Sequence, residues 1–408
     1  MRDISHIYGS YIHMFLVSKM AIVKIKIRSY DEEIDRARVE DLERRCEVGP
    51  AEHVFLFTDT MGDPICRIRN SPMYNMLVAE LDKEIVGVIQ GSIKVVTIHK
   101  PPKDLAKVGY ILGLRVSPLH RRKGIGSRLV HHLVEWFITN QADYAYMATE
   151  KDNEASVRLF VDKLGFVKFR SPSILVHPVN NRLYRVSPSV EILKLKKDEA
   201  ELVYRKFMGS TDFFPQDIDK VLGNEVSLGT WVAYPRGESW SQFGVEGRFP
   251  TSWAMVSVWN SGELFKLRIG KAPLSCFLYA KSSRLMERIF PCFKVPALPD
   301  FFRPFGFYFM YGVHREGPLS GKLVRTLCHF VHNMARKKCK DCKVIVTEVG
   351  SCDSLKLHIP HWKLLSCPED LWCIKDLKNN NHEEKNHPLR ELAKKPATRA
   401  LFVDPREV

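Results

Sequence analysis

The sequence predicts an α/β (α+β) protein made of two tandem domains, each a mixed, twisted sheet flanked by helices, the second a degenerate copy of the first. Three observations carry this expectation. Over the first 178 residues, period-two and helical apolar patterns follow in the order β, α, loop, ββ hairpin, β, α, β, α, β. The late part of the second half repeats that layout. The 408 residues also exceed what a single hydrophobic core usually supports.

Met20 to Arg28 (MAIVKIKIR) alternates apolar and basic residues and reads as the first strand. Glu32 to Cys46 is helical, followed by a loop through Gly49, Pro50, Gly62 and Pro64. Tyr74–Leu81 and Ile85–Ile98 form a hairpin around Asp82-Lys83. Tyr110–Val116 is a short buried strand that stops at Ser117-Pro118. Gly124–Asn140 is a helix with Leu129, Val130, Leu133, Trp136 and Phe137 on one side. Tyr144–Ala148 is a strand, Asn153–Leu164 a helix, and Phe166–Val176 a last strand.

In the second half, Gly306–Val313, Lys322–Ala335 and Lys343–Val346 echo a strand, a helix and a strand of the first. The pair Thr347-Glu348 ends the later strand as Thr149-Glu150 ends the earlier one, and Leu357…His361-Trp362 answers Leu159…Gly165-Phe166. The expected division is a disordered extension at 1–19, a first domain at 20–178 and a linker at 179–189. A second, degenerate domain follows at 190–378, then a mostly flexible tail at 379–408 that is polar from Asn379 to Ala397.

The net charge of +15 favours a polyanionic partner, either nucleic acid or a multiply phosphorylated cofactor. No nucleic-acid-binding motif accompanies the charge, so direct nucleic-acid binding is disfavoured. No apolar run is long enough to span a bilayer, and the first twenty residues lack a signal peptide's apolar region and cleavage site. The ten cysteines are scattered and read as reduced thiols. Cys328, His332, Cys339 and Cys342 have an unorthodox spacing for zinc and read as ordinary helix and loop residues, so no metal is expected. Trp231, Trp253, Trp259 and Phe265 read as core of the second sheet.

The sharpest local pattern is Arg121-Arg122-Lys123-Gly124-Ile125-Gly126-Ser127, set between a buried strand and an amphipathic helix. Glycines let a backbone approach a ligand and turn successive N–H groups toward one anion. The starting helix adds unpaired donors and its positive dipole end, and the three cations screen a pyrophosphate. Downstream, Asn153, Ser156, Leu159 and Phe160 precede Gly165-Phe166. Taken as structure alone, these describe a basic turn before a surface helix and a core helix ending at a glycine.

Together the two motifs resemble the R-x-x-G-x-G loop and the N-x-x-A-x-x-L-Y-x-x-x-G-F helix of the GNAT acetyltransferase superfamily. The chain further resembles plant hookless-type N-acetyltransferases in Glu43–Pro50, Gly62–Arg69, Tyr110–Pro118, Phe213-Phe214-Pro215, Asp217-Ile218-Asp219, Ile359–Lys363, Asp370–Ile374 and Phe402–Glu407. That likeness runs from about Ile27 to Val408.

The resemblance implies an enzyme that transfers acetyl directly from acetyl-CoA to a protein amine, such as a histone lysine. It also implies a nuclear role in hormone- and light-controlled plant growth. Leu114, Arg115 and Val116 would line the pantetheine arm, with the Val116 N–H as oxyanion donor. Arg121, Arg122, Lys123, Gly124, Ile125, Gly126, Ser127, Asn153, Ser156 and Phe160 would complete the cofactor site. An ammonium must lose a proton before it attacks, so a base is required; Glu150 is the first choice, Glu80 the second. Phe160 stands where many relatives carry a tyrosine acid, and phenylalanine has no proton to donate. That departure supports an alternative: a regulator that binds CoA or a partner protein without transferring acetyl. Tyr144 and Tyr146 lie near in sequence, with side chains expected in the core.

Overall fold

The computed structural model describes residues 25–46, 55–100, 103–240, 249–271, 300–367, 369–378 and 401–408. In chain order the elements are β1 (Lys26–Ser29), α1 (Glu32–Arg45), β2 (Phe55–Asp59), β3 (Met73–Leu81), β4 (Glu84–Lys100), β5 (Lys103–Val116), α2 (Ile125–Thr139), β6 (Tyr144–Glu150), α3 (Glu154–Val157), β7 (Val167–Arg170) and β8 (Ser173–Pro178). The second half adds β9 (Val190–Leu195), α4 (Lys197–Met208), α5 (Ile218–Leu222), β10 (Ser227–Pro235), β11 (Trp253–Asn260), β12 (Lys266–Lys271), β13 (Gly306–Glu316), α6 (Ser320–Lys338), β14 (Cys342–Val349) and β15 (Asp370–Asp376).

Two large sheets result, a seven-stranded one in the order β1-β3-β4-β5-β6-β15-β7 and a six-stranded one in the order β8-β14-β13-β11-β10-β9. Each half places one strand in the other's sheet. β15 inserts between β6 and β7, and β8 pairs antiparallel with β14. The single strand expected over Phe166–Val176 is therefore two strands in different sheets. Pro172 lies between them, and proline cannot donate to a ladder. The pairings of both exchanged strands run across the expected linker at 179–189.

The helix α2 covers the outer face of the first sheet, burying Leu129, Leu133 and Phe137 completely. Full burial of such a side chain stabilises by about 1.5–3 kcal/mol. The approach is close because Gly91 and Gly109 lie beneath it: a Cβ at Gly109 would fall 2.7 Å from the Phe137 ring. α6 covers the second sheet in the same way with Leu323, Val324, Leu327 and Val331. Between the sheets lies a shared core of Val78, Val88, Tyr110 and Tyr146 from one side and Met255, Phe309 and Val344 from the other.

Residues 401–408 enter that shared core, which corrects the expectation of a mostly flexible tail through 408. Leu401, Phe402 and Val403 are buried with it, and Asp404, Arg406 and Glu407 are at most 8% exposed. Charged residues tolerate this only when paired. Arg406 spans Asp404 and Asp217 at 2.7–2.9 Å, and Lys94 reaches Asp404 at 3.0 Å and Glu407 at 2.7 Å. The polar run Asn379–Ala397, the strand residues before Ile25 and the extension 1–19 lie outside the described residues. The joint 179–189 is pinned to α6, where Tyr184 stacks on His329 at 4.3 Å and exchanges hydrogen bonds with Asn333.

Candidate active site

β5 and β6 pair in parallel only from Val108–Ile111 against Tyr144–Met147. Beyond that point they diverge, leaving a wedge bounded by Leu112–Val116 on one side and Ala148–Glu150 on the other. Its cause is local. Gly113 takes a left-handed φ of +61°, opposite a register shift between Val88 and Gln90, and such a bulge bends the strand that carries it. The Ser117 N–H donates to the Val86 carbonyl at 2.9 Å, toward β4. Successive N–H groups on a strand point to opposite edges, so those of Val116 and Leu114 face the wedge.

The basic loop closes the wide end of the wedge. Arg122 and Gly124 both have positive φ, +63° and +78°, and Gly124 caps α2 without a side-chain hydrogen bond. The Arg128 N–H is the first to bond back, to the Gly124 carbonyl. The N–H groups of Ile125, Gly126 and Ser127 thus lie outside the helical ladder at its positive end. A Cβ at Gly124 would meet nothing within 4 Å, so the space above the loop is open. Arg121, Arg122 and Lys123 are exposed around it, and Arg115 is held by Glu43 at 3.2 Å.

The downstream motif meets this loop from below. Leu159 Cδ2 lies 3.6 Å from where a Gly126 Cβ would stand. Asn153 caps α3 by accepting from the Ser156 N–H at 3.2 Å. The chain then widens into a six-residue π turn at Arg158–Lys163, which turns Phe160 into the core, 3% exposed and edge-on to Phe166 at 5.2 Å. The wedge therefore gathers Leu114–Val116 and Arg121–Ser127, whereas Asn153 and Phe160 serve the helix cap and the core.

Glu80 is held below the usual carboxylate range by hydrogen bonds from Arg38 and Arg28, which outweigh its slight burial. A base with that bias holds protons poorly. Glu150 ends β6 at the rim of the wedge, half-buried. Tyr146 donates to Glu407, and the Tyr110 and Tyr146 rings lie 4.8 Å apart on the face between the sheets.

That face also holds carboxyls which sequence reasoning passed over as site residues. Glu348 accepts from the Trp372 Nε1–H at 3.1 Å, and Asp370 lies in the same enclosure. Burial raises both carboxyls, Asp370's charge adding for Glu348 and Glu150's for Asp370. The one sequence signal was the repeat itself, which matched Thr347-Glu348 to Thr149-Glu150.

Comparison with known proteins agrees with this geometry. The profile described as Acetyltransferase (GNAT) family matches residues 36–166. "Probable N-acetyltransferase HLS1-like" of Arabidopsis thaliana is 45% identical, over 94% of this chain and 99% of its own. "Probable N-acetyltransferase HLS1" of the same plant is 47% identical over 93% and 99%. The chain belongs to the GNAT acetyltransferase family, among its HLS1-like members. Saccharomyces cerevisiae N-myristoyltransferase, solved with bound myristoyl-CoA, shares the fold at 11% identity with a TM-score of 0.52, over 86% of this chain and 79% of that one.

The second half repeats the GNAT wedge with changes. β13 and β14 pair in parallel only as far as Met310–Thr347, and Gly312 carries the positive φ that Gly113 has in the first half. At the helix start, however, the His358 ring lies 2.4 Å from where a Gly321 Cβ would stand, so the counterpart of the open loop is filled. Cys328 and Cys342 are buried thiols, both raised by burial. Among the described residues, no three His, Cys, Asp or Glu side chains gather as a metal would require. No described helix is long and apolar enough to cross a membrane.

Proposed function

We propose that this GNAT protein transfers acetyl from acetyl-CoA directly to a protein amine. The observation that carries the reading is the open wedge at Leu114–Val116, with free N–H groups of Ile125, Gly126 and Ser127 at its wide end. The pyrophosphate would sit on those donors, screened by Arg121, Arg122 and Lys123. The pantetheine arm would lie along Leu114–Val116 as an added strand, and the Val116 N–H would polarise the thioester carbonyl. The resemblance to hookless-type relatives supports a nuclear role in plant growth control, with a histone lysine among the acceptors to try first.

Calorimetry with acetyl-CoA tests the cofactor half of the reading, and no heat at high micromolar ligand overturns it. Mass-spectrometric detection of acetylated peptides from a lysine-bearing library tests the transfer half. A second reading, a CoA-binding regulator without turnover, draws on the absence of a hydroxyl at Phe160 and its burial in the core. Binding without any acetylated product would favour it.

A further inference from the structure

The wedge of the second half is not empty surface. A cleft of about 470 Å³ opens there, lined by Met208, Val313, Arg315, Ser320, Asp353 and Leu355. A second, water-sized cavity of about 30 Å³ shares Met208, Val313, Asp353 and Leu355 with the cleft and reaches Glu348 and the Leu401–Val403 segment. Glu348 is surrounded by protein yet keeps part of its surface toward this cavity.

Its inner end adjoins the first wedge through a short chain of contacts. Trp372, which hydrogen-bonds Glu348, pairs in register with Ala148, where β6 begins to part from β5. The Trp372 ring lies 5.7 Å from that of Tyr146, which stands beside Tyr110. Trp372 and Tyr146 thus link the Glu348 carboxyl to the strand β6 that borders the first wedge, within the sheet-to-sheet interior.

We propose that the cleft between β13 and β14 is the acceptor site of the acetyl transfer, taking an extended peptide and presenting its primary amine to Glu348 as general base. This rests on the acetyl-CoA reading of the first wedge. Beyond Met310, β13 is no longer paired with β14, so an extended peptide finds a strand edge on which to add. The enclosed carboxyl oxygens of Glu348 and Asp370 offer hydrogen-bond acceptors to an amine, which a dry site otherwise rejects. Burial raises the pKa of Glu348, so its ionised form takes up a proton readily from an ammonium. Glu150 sits at the half-buried rim instead.

The protons balance without a further reactant. The ammonium gives one proton to Glu348, which later releases it to water through the cleft. The amine nitrogen bonds to the thioester carbon, the C–S bond breaks with its electron pair on sulfur, and the second nitrogen proton goes to that thiolate. The products are an amide and free CoA.

The test uses the full chain, acetyl-CoA and a library of lysine-bearing and free-N-terminus decapeptides. Glu348→Gln keeps shape and should bind acetyl-CoA with unchanged affinity while kcat falls at least 100-fold. Val313→Trp should raise the acceptor KM at least tenfold at unchanged acetyl-CoA affinity, and Ser354→Trp at the exposed rim repeats the test should the first variant misfold. Turnover of Glu348→Gln within threefold of wild type overturns the base. An unchanged acceptor KM in a folded cleft variant overturns the cleft. If the wild type binds acetyl-CoA but acetylates no peptide, the transfer reading fails by itself. The cleft is then judged by retention of the same decapeptides on a chip in the presence of CoA, where no retention, or equal retention by Val313→Trp, overturns it.

Discussion

Asp370 stands directly opposite Glu150 in antiparallel register, although the two carboxylates belong to different halves of the chain. The pairing exists because β15 crosses into the first sheet, between β6 and β7. Each half thus supplies a strand that the other needs for its sheet.

The two halves should therefore not fold separately. A fragment covering residues 20–178 lacks the strand that joins β6 to β7 and leaves β8 without a sheet. It should be insoluble alone and recover on coexpression with residues 190–408, and the intact chain should unfold in urea in one transition. Two separate transitions, or a soluble fragment with dispersed NMR resonances, would contradict this.

Arg406 should be a stability residue. Its guanidinium is buried and joins Asp404 to Asp217, so Arg406→Met takes this cation from Asp217 and leaves Asp404 to Lys94. Removing one partner of a buried pair costs about 3–5 kcal/mol. The urea midpoint should fall accordingly, and the Asp217→Asn/Arg406→Met double variant should lose less than the two single losses combined.

The sequence made the first wedge readable because its chemistry is local: glycines, cations and a helix start stand within seven residues. The strand exchange was not readable. The alternation in Ser173–Pro178 says which face is buried but not which sheet it joins, and Pro172 was the one visible sign of a break. The segment Asp404-Pro405-Arg406-Glu407 reads as part of a tail because its partners are remote: Asp217 is 189 residues from Arg406 and Lys94 is 310 residues from Asp404. Glu348 was in view as an echo of Glu150, yet only the fold encloses it.

The two helix-start glycines should separate binding from stability. Gly124→Trp places a side chain in the open space over the donors, and its φ of +78° adds about 1–2 kcal/mol of strain. Acetyl-CoA heat should vanish while the chain stays folded. Gly321→Ala drives a methyl into the His358 ring and should lower the melting temperature with acetyl-CoA affinity unchanged. The opposite pattern would reverse the roles given to the halves.

Glu348 should cost stability in exchange for its position, and the sign can be worked out. Burial and the nearby charges of Asp370 and Glu407 raise its folded-state pKa, against the Trp372 hydrogen bond, which lowers it. Tyr110 also faces this group, and Lys94 offsets Glu407. The unfolded carboxyl ionises near 4.3. From there to the raised folded value the native state holds a proton that the unfolded state has released, so stability falls as pH rises, by about 1.4 kcal/mol per pH unit, and levels once the folded group ionises. Glu348→Gln has no proton to hold and keeps an acceptor for Trp372. Its stability relative to wild type should therefore climb from pH 5 toward pH 8, read from urea unfolding at each pH. Asp404 carries the opposite sign. Burial resists its ionisation, but Arg406 and Lys94 outweigh that and hold it far below the usual range, so its contribution is lost only as pH falls below about 4. Both variant and wild type share that acid limb, and it cancels in the difference. Parallel curves for the two proteins between pH 5 and 8 would mean that Glu348 is an ordinary carboxylate.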